Sequence, residues 1–284
     1  MRSGNHVTIE IHERDESIRT IHSFIRAVFR LRREIENDKL WYRGHSDICY
    51  KLRPSIGREQ SYAGKKLILK RSQEISLLHR FRRRAYPHVE RAMTAGEAIF
   101  LARHHGLPTR LLDWTANALV ALYFTCIEYA EGDDRKDGQV WAMRRRSQEK
   151  DLDAFEIAQQ KDEEELFRFF ANSAKNVKEN DLKHAIRMVH PFYNSPRILA
   201  QDGAFTIHSN PRISIEDYEG KKFTKDRLDI GGLWCWTVPG ARKTDIVRQL
   251  SGLGITHRTV YPDLDGIARS LWETEVLWSN LRQD

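Results

Sequence analysis

The feature that most constrains the fold is a run of apolar residues from Ala116 to Phe124, interrupted only by Asn117. A helix that is apolar on every side is usually buried on every side, so this run predicts the central helix of the domain. We expect the helix to start at Thr115, with Asp113 or Thr115 as its N-cap. The run is far too short to cross a bilayer, and no membrane association is expected.

Helical and strand patterns surround this segment without a regular repeat. Helices are predicted over Ser17–Ile35 with Ser17 as N-cap, Lys65–Arg84, Thr94–His104 with Thr94 as N-cap, Lys243–Leu250, and from Asp265 onward. Strands are predicted at Leu40–Arg43, Gly138–Met143, Ala204–His208, Leu233–Val238 and Thr256–Tyr261. Strands scattered among helices of unequal length favour the α+β class. We therefore predict a single α+β domain, with a mixed sheet, a buried central helix and surrounding helices.

The chain shows no internal repeat or flexible linker that would divide it. Residues 1–36 are interpreted as an N-terminal helical segment that packs on a domain formed by residues 37–284. Within that domain the acidic residues 149–181 read as a helical insertion or cap. The N-terminus lacks the apolar core of a signal peptide, and Cys49, Cys126 and Cys235 are scattered, so we expect a cytoplasmic protein.

The formal net charge of +7 favours polyanionic partners: nucleic acid, a nucleotide or an acidic protein. Two basic clusters stand out, Arg80 with Arg82–Arg84, and Arg144–Arg146. Neither matches a known nucleic-acid motif, so we interpret both as solvated faces.

The first segment with chemical potential is Trp41–Ser46. An arginine at a strand end, Arg43, can clamp a phosphate or carboxylate with two parallel hydrogen bonds, and Gly44 can let a ligand approach the backbone. The alternative is structural: a salt bridge from Arg43 and a turn at Gly44.

The second segment is Ala102–Thr115, which concentrates titratable side chains between two helices. Arg110 binds phosphate or pairs with Asp113, whose structural role would be a helix cap. His104 and His105 are adjacent and point in different directions, and no HExxH spacing is present, so no metal site is expected. One of the histidines as a proton carrier is the favoured reading.

The order of several motifs resembles the FRG domain family. The matching stretches are WYRGHS, YKLRPSIGR, ARHHGLPTRLLDWTANALVALYFT, GQVWAM, RILAQDGAFTIH and GITHRTVYPDLDGIARSL, from about Leu40 to Leu271. The family is bacterial and phage-associated and often lies near toxin–antitoxin or antiphage genes. The resemblance implies a toxin or antiphage-defence effector, with an antitoxin or defence-system protein as partner. It draws attention to Arg43, Gly44, His105, Gly106, Pro108, Thr109, Arg110, Asp113, Trp114, Gln201, Gly203, Phe205, Asp263 and Asp265, although Asp263 also suits a helix cap.

Tyr42-Arg43-Gly44 is also similar to the element that single-domain ADP-ribosyltransferases use to hold NAD. This likeness predicts NAD-dependent transfer of ADP-ribose to a macromolecule, with NAD as substrate and no metal. Arg43 and Arg110 would bind the diphosphate, His105 would orient the nicotinamide or ribose, and Asp113 would stabilise positive charge. The remaining predicted contacts to NAD are Tyr42, Gly44, His104, Thr109, Trp114 and Gln201.

Two other functions stay open at this stage. Histidines beside arginines can cleave RNA without a metal, which would make His104 or His105 essential and nucleic acid the target. A non-catalytic module that binds a nucleotide or a protein would show binding without turnover. A late Glu-x-Glu pair, Glu273 and Glu275, resembles the usual transferase carboxylates but is interpreted as a solvated helix face.

Overall fold

The protein is represented by a computed structural model that describes residues 6–7, 9–36, 38–63, 65–127, 136–145, 152–172, 186–191, 195–218, 223–224 and 230–277. Arg146 and parts of the acidic segment 149–181 lie outside these residues. The described part of the acidic segment, residues 152–172, contains one short strand and two helices.

The strands are β1 His6–Val7, β2 Ile11–Arg14, β3 Leu40–His45, β4 Gln60–Tyr62, β5 Lys65–Leu67, β6 Leu111–Thr115, β7 Gly138–Arg145, β8 Leu152–Asp153, β9 Ile186–His190, β10 Gly203–His208, β11 Phe223–Thr224 and β12 Ile230–Val238. Within the described residues, eight of them form one sheet in the order β2-β12-β7-β3-β6-β10-β9-β8. The outer pairs β2–β12 and β8–β9 are parallel and the inner pairs are antiparallel, so the sheet is mixed.

The helices are α1 Ile21–Glu34, α2 Arg71–Ala85, α3 Ala95–His104, α4 Ala118–Cys126, α5 Ala154–Ala158, α6 Glu163–Asn172, α7 Pro196–Ala200, α8 Lys243–Gly252, α9 His257–Val260 and α10 Leu264–Trp272. Helix α4 is buried against β3 and β7, which confirms the predicted central helix. Helices and a mixed sheet in one molecule confirm the single α+β domain.

Helix α1 starts three residues later than predicted. Thr20, and not Ser17, is the N-cap: its hydroxyl accepts from the Ser23 backbone N–H while the Ser23 hydroxyl accepts from the Thr20 N–H. The buried residues of α1 follow helical spacing and share a core with α4, α8, β7 and β12: Ile21, Phe24, Ala27 and Leu31. Strand β2, which the sequence did not predict, precedes this helix and pairs with β12.

The start of the central helix is also corrected. Residues Leu111–Thr115 form β6, which pairs along its length with β10, and so neither Asp113 nor Thr115 caps α4. Asn117 is the N-cap, because its Oδ1 accepts from the backbone N–H groups of Leu119 (3.0 Å) and Val120 (3.4 Å).

Two further predictions are wrong, one in the type of element and one in where a helix begins. The strand expected over Thr256–Tyr261 is helix α9, because Thr256 and Thr259 form a reciprocal N-terminal cap. The helix expected from Lys65 begins at Arg71, because Lys65–Leu67 pair with Gln60–Tyr62 as a hairpin.

The structural role considered for Asp263 is confirmed. Its Oδ1 accepts from the Gly266 N–H at 2.7 Å, which caps α10.

Candidate functional site

The large sheet is thinly joined at its middle, where β3 meets β6. Strand β3 pairs with β7 through six residues and β6 pairs with β10 through five, but within these fully described strands β3 and β6 share one pair, Tyr42 with Thr115. The two halves of the sheet therefore leave a seam. A cavity of about 540 Å³ opens at it, which we call the seam cavity.

The lining of the seam cavity comes from the ends of both strands, the loop after β3, the end of α3 and the region around α7. Its residues are Tyr42, Arg43, Gly44, His45, Ser46, Tyr50, Arg58, Arg103, His104, His105, Gly106, Asp113, Trp114, Thr115, Phe124, Ile127, Arg197, Ile198, Gln201, Phe205 and Tyr261. Four arginines face one carboxylate in this set, so the cavity is electropositive and suits an anion.

Arg43 bridges the seam. Its Nη1 donates to the backbone oxygen of Asp113 at 2.6 Å, which supplies a hydrogen bond across strands that are not paired there. Its Nε donates to Nε2 of His45 at 3.1 Å. Burial lowers the pKa of Arg43 to about 10, still far above neutrality, so the guanidinium is charged. Burial and the charge of Arg43 together hold the pKa of His45 well below its usual value, and His45 is neutral.

Asp113 is paired with Arg103 from α3. Nε of Arg103 lies 2.9 and 3.1 Å from the two carboxylate oxygens, and Nη2 donates to Oδ2 as well. Burial alone would raise the pKa of Asp113, but Arg103 and the nearby Arg43 outweigh it and lower the value to about 2. The lowered pKa keeps this carboxylate ionised at neutral pH, and the side chain, 38% exposed, is open to the cavity.

Two arginines of the cavity have no carboxylate partner in the described part of the chain: Arg58 and Arg197. Arg58 donates from Nε to the backbone oxygen of Arg53 at 3.1 Å. The Arg197 guanidinium lies 4.3 Å from the centre of the Tyr261 ring. Burial and the positive charge of Arg103 lower the pKa of Arg58, and the more distant Asp113 offsets this only in part. These two guanidinium groups therefore suit an anion.

The two histidines reach the cavity because α3 ends there. Gly106, at φ +80°, reverses the chain. Its N–H donates to the backbone oxygen of Arg103, and the Leu107 N–H donates to the backbone oxygen of Ala102. The rings of His104 and His105 are nearly perpendicular, at 84°, with centroids 4.8 Å apart. Nδ1 of His104 lies 3.3 Å from the Ser195 hydroxyl. Burial and then the charge of Arg197 lower the pKa of His104, so it is neutral at pH 7.

Gly44 lines the cavity, but its missing side chain makes room for the protein itself. A Cβ at this position would lie 2.1 Å from the backbone oxygen of Ala121 and 2.6 Å from the Thr125 hydroxyl. Helix α4 occupies this space, which corrects the expectation that the glycine leaves room for a ligand.

Three of the residues predicted to contact NAD have structural roles: Trp114, Tyr42 and Gln201. The Trp114 indole packs in the core on the other face of the sheet and donates to Thr206 at 3.1 Å, so it does not stack on a ligand. Tyr42 is buried beside α4, and burial raises its pKa to about 12. Gln201 donates to the backbone oxygen of Val260 at 3.2 Å and holds the cavity wall together.

Arg110 and Thr109 do not line the cavity. Arg110 is buried on the far side of β6, where Nε and Nη2 donate to the carboxylate of Glu74 at 2.9 and 2.7 Å. Its Nη1 donates to the backbone oxygens of His208 and Ser209, both at 3.2 Å. The guanidinium also lies 4.6 Å from the Phe167 ring centre. The predicted diphosphate role is therefore replaced by a structural one, and Thr109 is likewise buried, with its hydroxyl accepting from the Leu111 N–H.

Glu273 corrects the reading of the Glu-x-Glu pair as a solvated face. It is buried, with Oε1 3.4 Å from Nε of Arg269 and 3.7 Å from Nδ1 of His257, and burial raises its pKa. It does not line the seam cavity. Glu275 is exposed.

Five residues that line the cavity were not predicted as site residues from the sequence: Tyr50, Arg58, Arg103, Arg197 and Tyr261. All lie in or beside motifs that carried the family resemblance, namely YKLRPSIGR, ARHHGLPTR, RILAQDGAF and YPDLDG. An arginine in each of the first three motifs was the available signal.

Among the described residues, no group of three histidine, cysteine or carboxylate side chains is arranged to hold a metal. A search of the same residues for a helix long and apolar enough to span a bilayer also found none.

The fold and the cavity define an α+β protein with an arginine-rich cavity at a sheet seam. A family model for the FRG domain matches residues 38–134, which is about a third of the chain. The chain therefore contains an FRG domain, as the motifs between Trp41 and Thr125 predicted, and β3, α3, β6 and α4 all lie within the matched residues. The motifs after residue 134, which were also assigned to the family, lie outside the match. No curated protein and no solved structure matched the chain.

Proposed function

We propose that this protein binds NAD in the seam cavity and transfers its ADP-ribose to a macromolecule. The observation that carries the proposal is the excess of guanidinium groups in the cavity: Arg43, Arg58, Arg103 and Arg197 against Asp113. A volume of about 540 Å³ falls within the range of small-molecule sites. A ligand with two phosphates and two aromatic rings suits this combination of charge and size.

The diphosphate would be held by Arg58 and Arg197. Both are charged and lack a carboxylate partner in the described residues, so a phosphate would satisfy donors that are otherwise left to water. Arg43 contributes to the positive field, but two of its nitrogens already serve the seam. Arg110 has no part in this role.

The rings of the ligand have three aromatic neighbours in the cavity: Tyr50, Phe124 and Tyr261. Tyr261 already contacts Arg197 and also the His257 ring, which lies 4.6 Å away at 18°. These contacts hold Tyr261 in the wall of the cavity, while Tyr50 is exposed on the loop after β3. A base or nicotinamide ring would pack against Tyr50.

The chemistry requires only stabilisation of charge and removal of one proton. The bond between ribose C1′ and the nicotinamide nitrogen breaks, its electron pair leaves with nicotinamide, and positive charge develops on the ribose. Asp113 stabilises this charge because it is ionised at every physiological pH. A nucleophile of the target then bonds to C1′ and gives up its proton, which neutral His104 can accept.

Within this proposal the protein acts as a toxin or antiphage-defence effector that an antitoxin or defence-system partner restrains. This step rests on the genomic surroundings typical of the family, not on the geometry of the site.

The test is incubation of the purified protein with NAD and, separately, with labelled NAD plus total cell RNA, DNA and protein. Nicotinamide release with transfer of label to one class of macromolecule is expected. Arg58→Gln and Arg197→Gln should each lower both signals about ten- to hundredfold at NAD concentrations that do not saturate the site, whereas Arg26→Gln, which changes an exposed arginine of α1, should not. No nicotinamide release and no NAD binding would overturn the proposal, and RNA fragments formed without NAD would point to nuclease chemistry instead.

A further inference from the structure

Helix α2 presents an exposed arginine face on the side opposite its core contacts. Leu78 and Glu74 are buried on the inner side of the helix. At about 100° per residue, Arg80, Arg83 and Arg84 fall on the opposite side, within about 100° of one another. All three are exposed. The fourth arginine of the cluster, Arg82, points inward and pairs with Glu163 at 3.2 Å.

The three outer arginines have no hydrogen-bond or ion-pair partner among the described residues. The only acidic residue of α2, Glu74, forms a buried ion pair with Arg110 and does not neutralise these arginines. The outer face of α2 thus carries positive charge that no carboxylate of the described residues pairs with. A surface of this kind attracts a polyanion.

An exposed aromatic ring follows this helix two residues after Arg84. Tyr86 follows α2 directly, in a short 3₁₀ turn with His88, and is 63% exposed. A large apolar ring held in water beside unpaired arginines combines the two elements that grip single-stranded nucleic acid, a stacking platform and phosphate contacts. An acidic protein would use the arginines but has no need of the ring.

We propose that Arg80, Arg83, Arg84 and Tyr86 form a binding surface for single-stranded nucleic acid, separate from the seam cavity. The arginines contact successive phosphates and Tyr86 stacks on an unpaired base. This revises the interpretation of the Arg80–Arg84 cluster as a solvated face, because the structure leaves three of its arginines unpaired within the described residues and exposes Tyr86 two residues after it. The surface does not depend on the proposed transferase activity.

The test is fluorescence anisotropy of the full-length protein with a labelled twenty-nucleotide single strand and with the matching duplex, across a salt series. The triple variant Arg80→Gln/Arg83→Gln/Arg84→Gln should bind the single strand at least tenfold more weakly. Its plot of log affinity against log salt should be less steep by about two, since each phosphate contact on a single strand contributes about 0.7. Tyr86→Ala should cost about tenfold and Tyr86→Phe little, because stacking needs the ring and not the hydroxyl.

The matched control is Arg19→Gln/Arg26→Gln/Arg33→Gln, which removes the same charge from exposed positions in and before α1. It should bind like the unchanged protein, and thermal melting should show that all variants remain folded. The proposal is overturned if the single strand does not bind at low salt, if the control triple loses as much affinity as the α2 triple, or if Tyr86→Ala has no effect. Tighter binding of an acidic peptide or an anionic vesicle than of the single strand would assign the surface to another partner.

Discussion

Two groups of arginines lie on either side of β6 and differ in how their charge is satisfied. Arg110 is 6% exposed and is engaged by a carboxylate, two backbone oxygens and an aromatic ring. Arg58 and Arg197 lie in the seam cavity with no carboxylate partner in the described residues. All three belong to motifs of the same family resemblance, so the motif alone does not say which arginine meets a ligand.

The two groups differ in how many guanidinium N–H groups are hydrogen-bonded within the protein. A guanidinium has five N–H donors, and one whose donors all bind protein acceptors stabilises the fold but cannot bind a ligand. One that retains donors facing a cavity stabilises the fold little and is available to an anion. Substitutions on the two sides of β6 should therefore separate stability from binding.

The largest effect is expected at Arg110. Replacing it with methionine leaves the Glu74 carboxylate, 7% exposed, buried without its partner, which should cost about 3–5 kcal/mol of the free energy of unfolding. Urea denaturation at pH 7 measures it. The double variant Arg110→Met/Glu74→Leu should recover much of the loss, because two apolar residues leave no buried charge. A loss below about 1 kcal/mol in the single variant would contradict the structural role.

On the other side of β6, Arg197→Gln should show the reverse pattern. We expect a change in unfolding free energy below about 1 kcal/mol, because no buried charge is left unpaired. Affinity for NAD should fall about ten- to hundredfold, since a hydrogen bond to a charged group contributes about 1.5–3 kcal/mol. Isothermal titration of the variant, with Arg26→Gln as control, measures it. Strong destabilisation with unchanged NAD affinity would break the comparison.

Gly44 provides a sharper test of the seam. Gly44→Ala forces a Cβ to within 2.1 Å of the Ala121 oxygen, so α4 must shift, and overpacking of this kind costs about 1–3 kcal/mol. Differential scanning calorimetry should show a lower melting temperature. The matched substitution Gly252→Ala, at the end of α8 where a Cβ meets no atom within 4 Å, should leave it unchanged or slightly raised. Equal melting temperatures for the two variants would show that α4 tolerates the methyl group.

The sequence was most informative where one physical signal dominates. The apolar run predicted the buried helix α4, and Thr94 with Glu97 predicted the cap of α3, since both signals are local. The helix prediction failed at Leu111–Thr115 because this segment is held as a strand by pairing with β10 and β3, which are distant in sequence, and nothing local distinguishes it from the start of the helix. At Thr256–Tyr261 the β-branched residues led to the prediction of a strand. In the structure Thr256 and Thr259 instead cap a helix.

The same distinction applies to the site. Arg43, His104, His105 and Asp113 were predicted from local motifs and all line the seam cavity. The fate of Arg110 depends on Glu74, 36 residues earlier, and on Phe167, 57 residues later. Such pairings are a property of the tertiary structure. The motifs singled out Arg43 and Arg110, but the sequence could not show which arginines of the motifs would be left without a carboxylate partner.

The smallest effect is expected at Asp113, where the comparison can be made between two carboxylate–arginine pairs. The Asp113–Arg103 pair is open to water and the Glu74–Arg110 pair is not. Because the pKa of Asp113 is lowered from 3.8 to about 2, its stabilising contribution is complete above about pH 4 and is lost as the pH falls toward 2. Screening of a side chain more than a third exposed reduces this contribution to about 1 kcal/mol. Urea denaturation of the protein and of Asp113→Asn between pH 6 and pH 2 should show a difference in unfolding free energy that shrinks with acidification. A difference that stays constant down to pH 2 would mean that the carboxylate acts through packing and not through its charge.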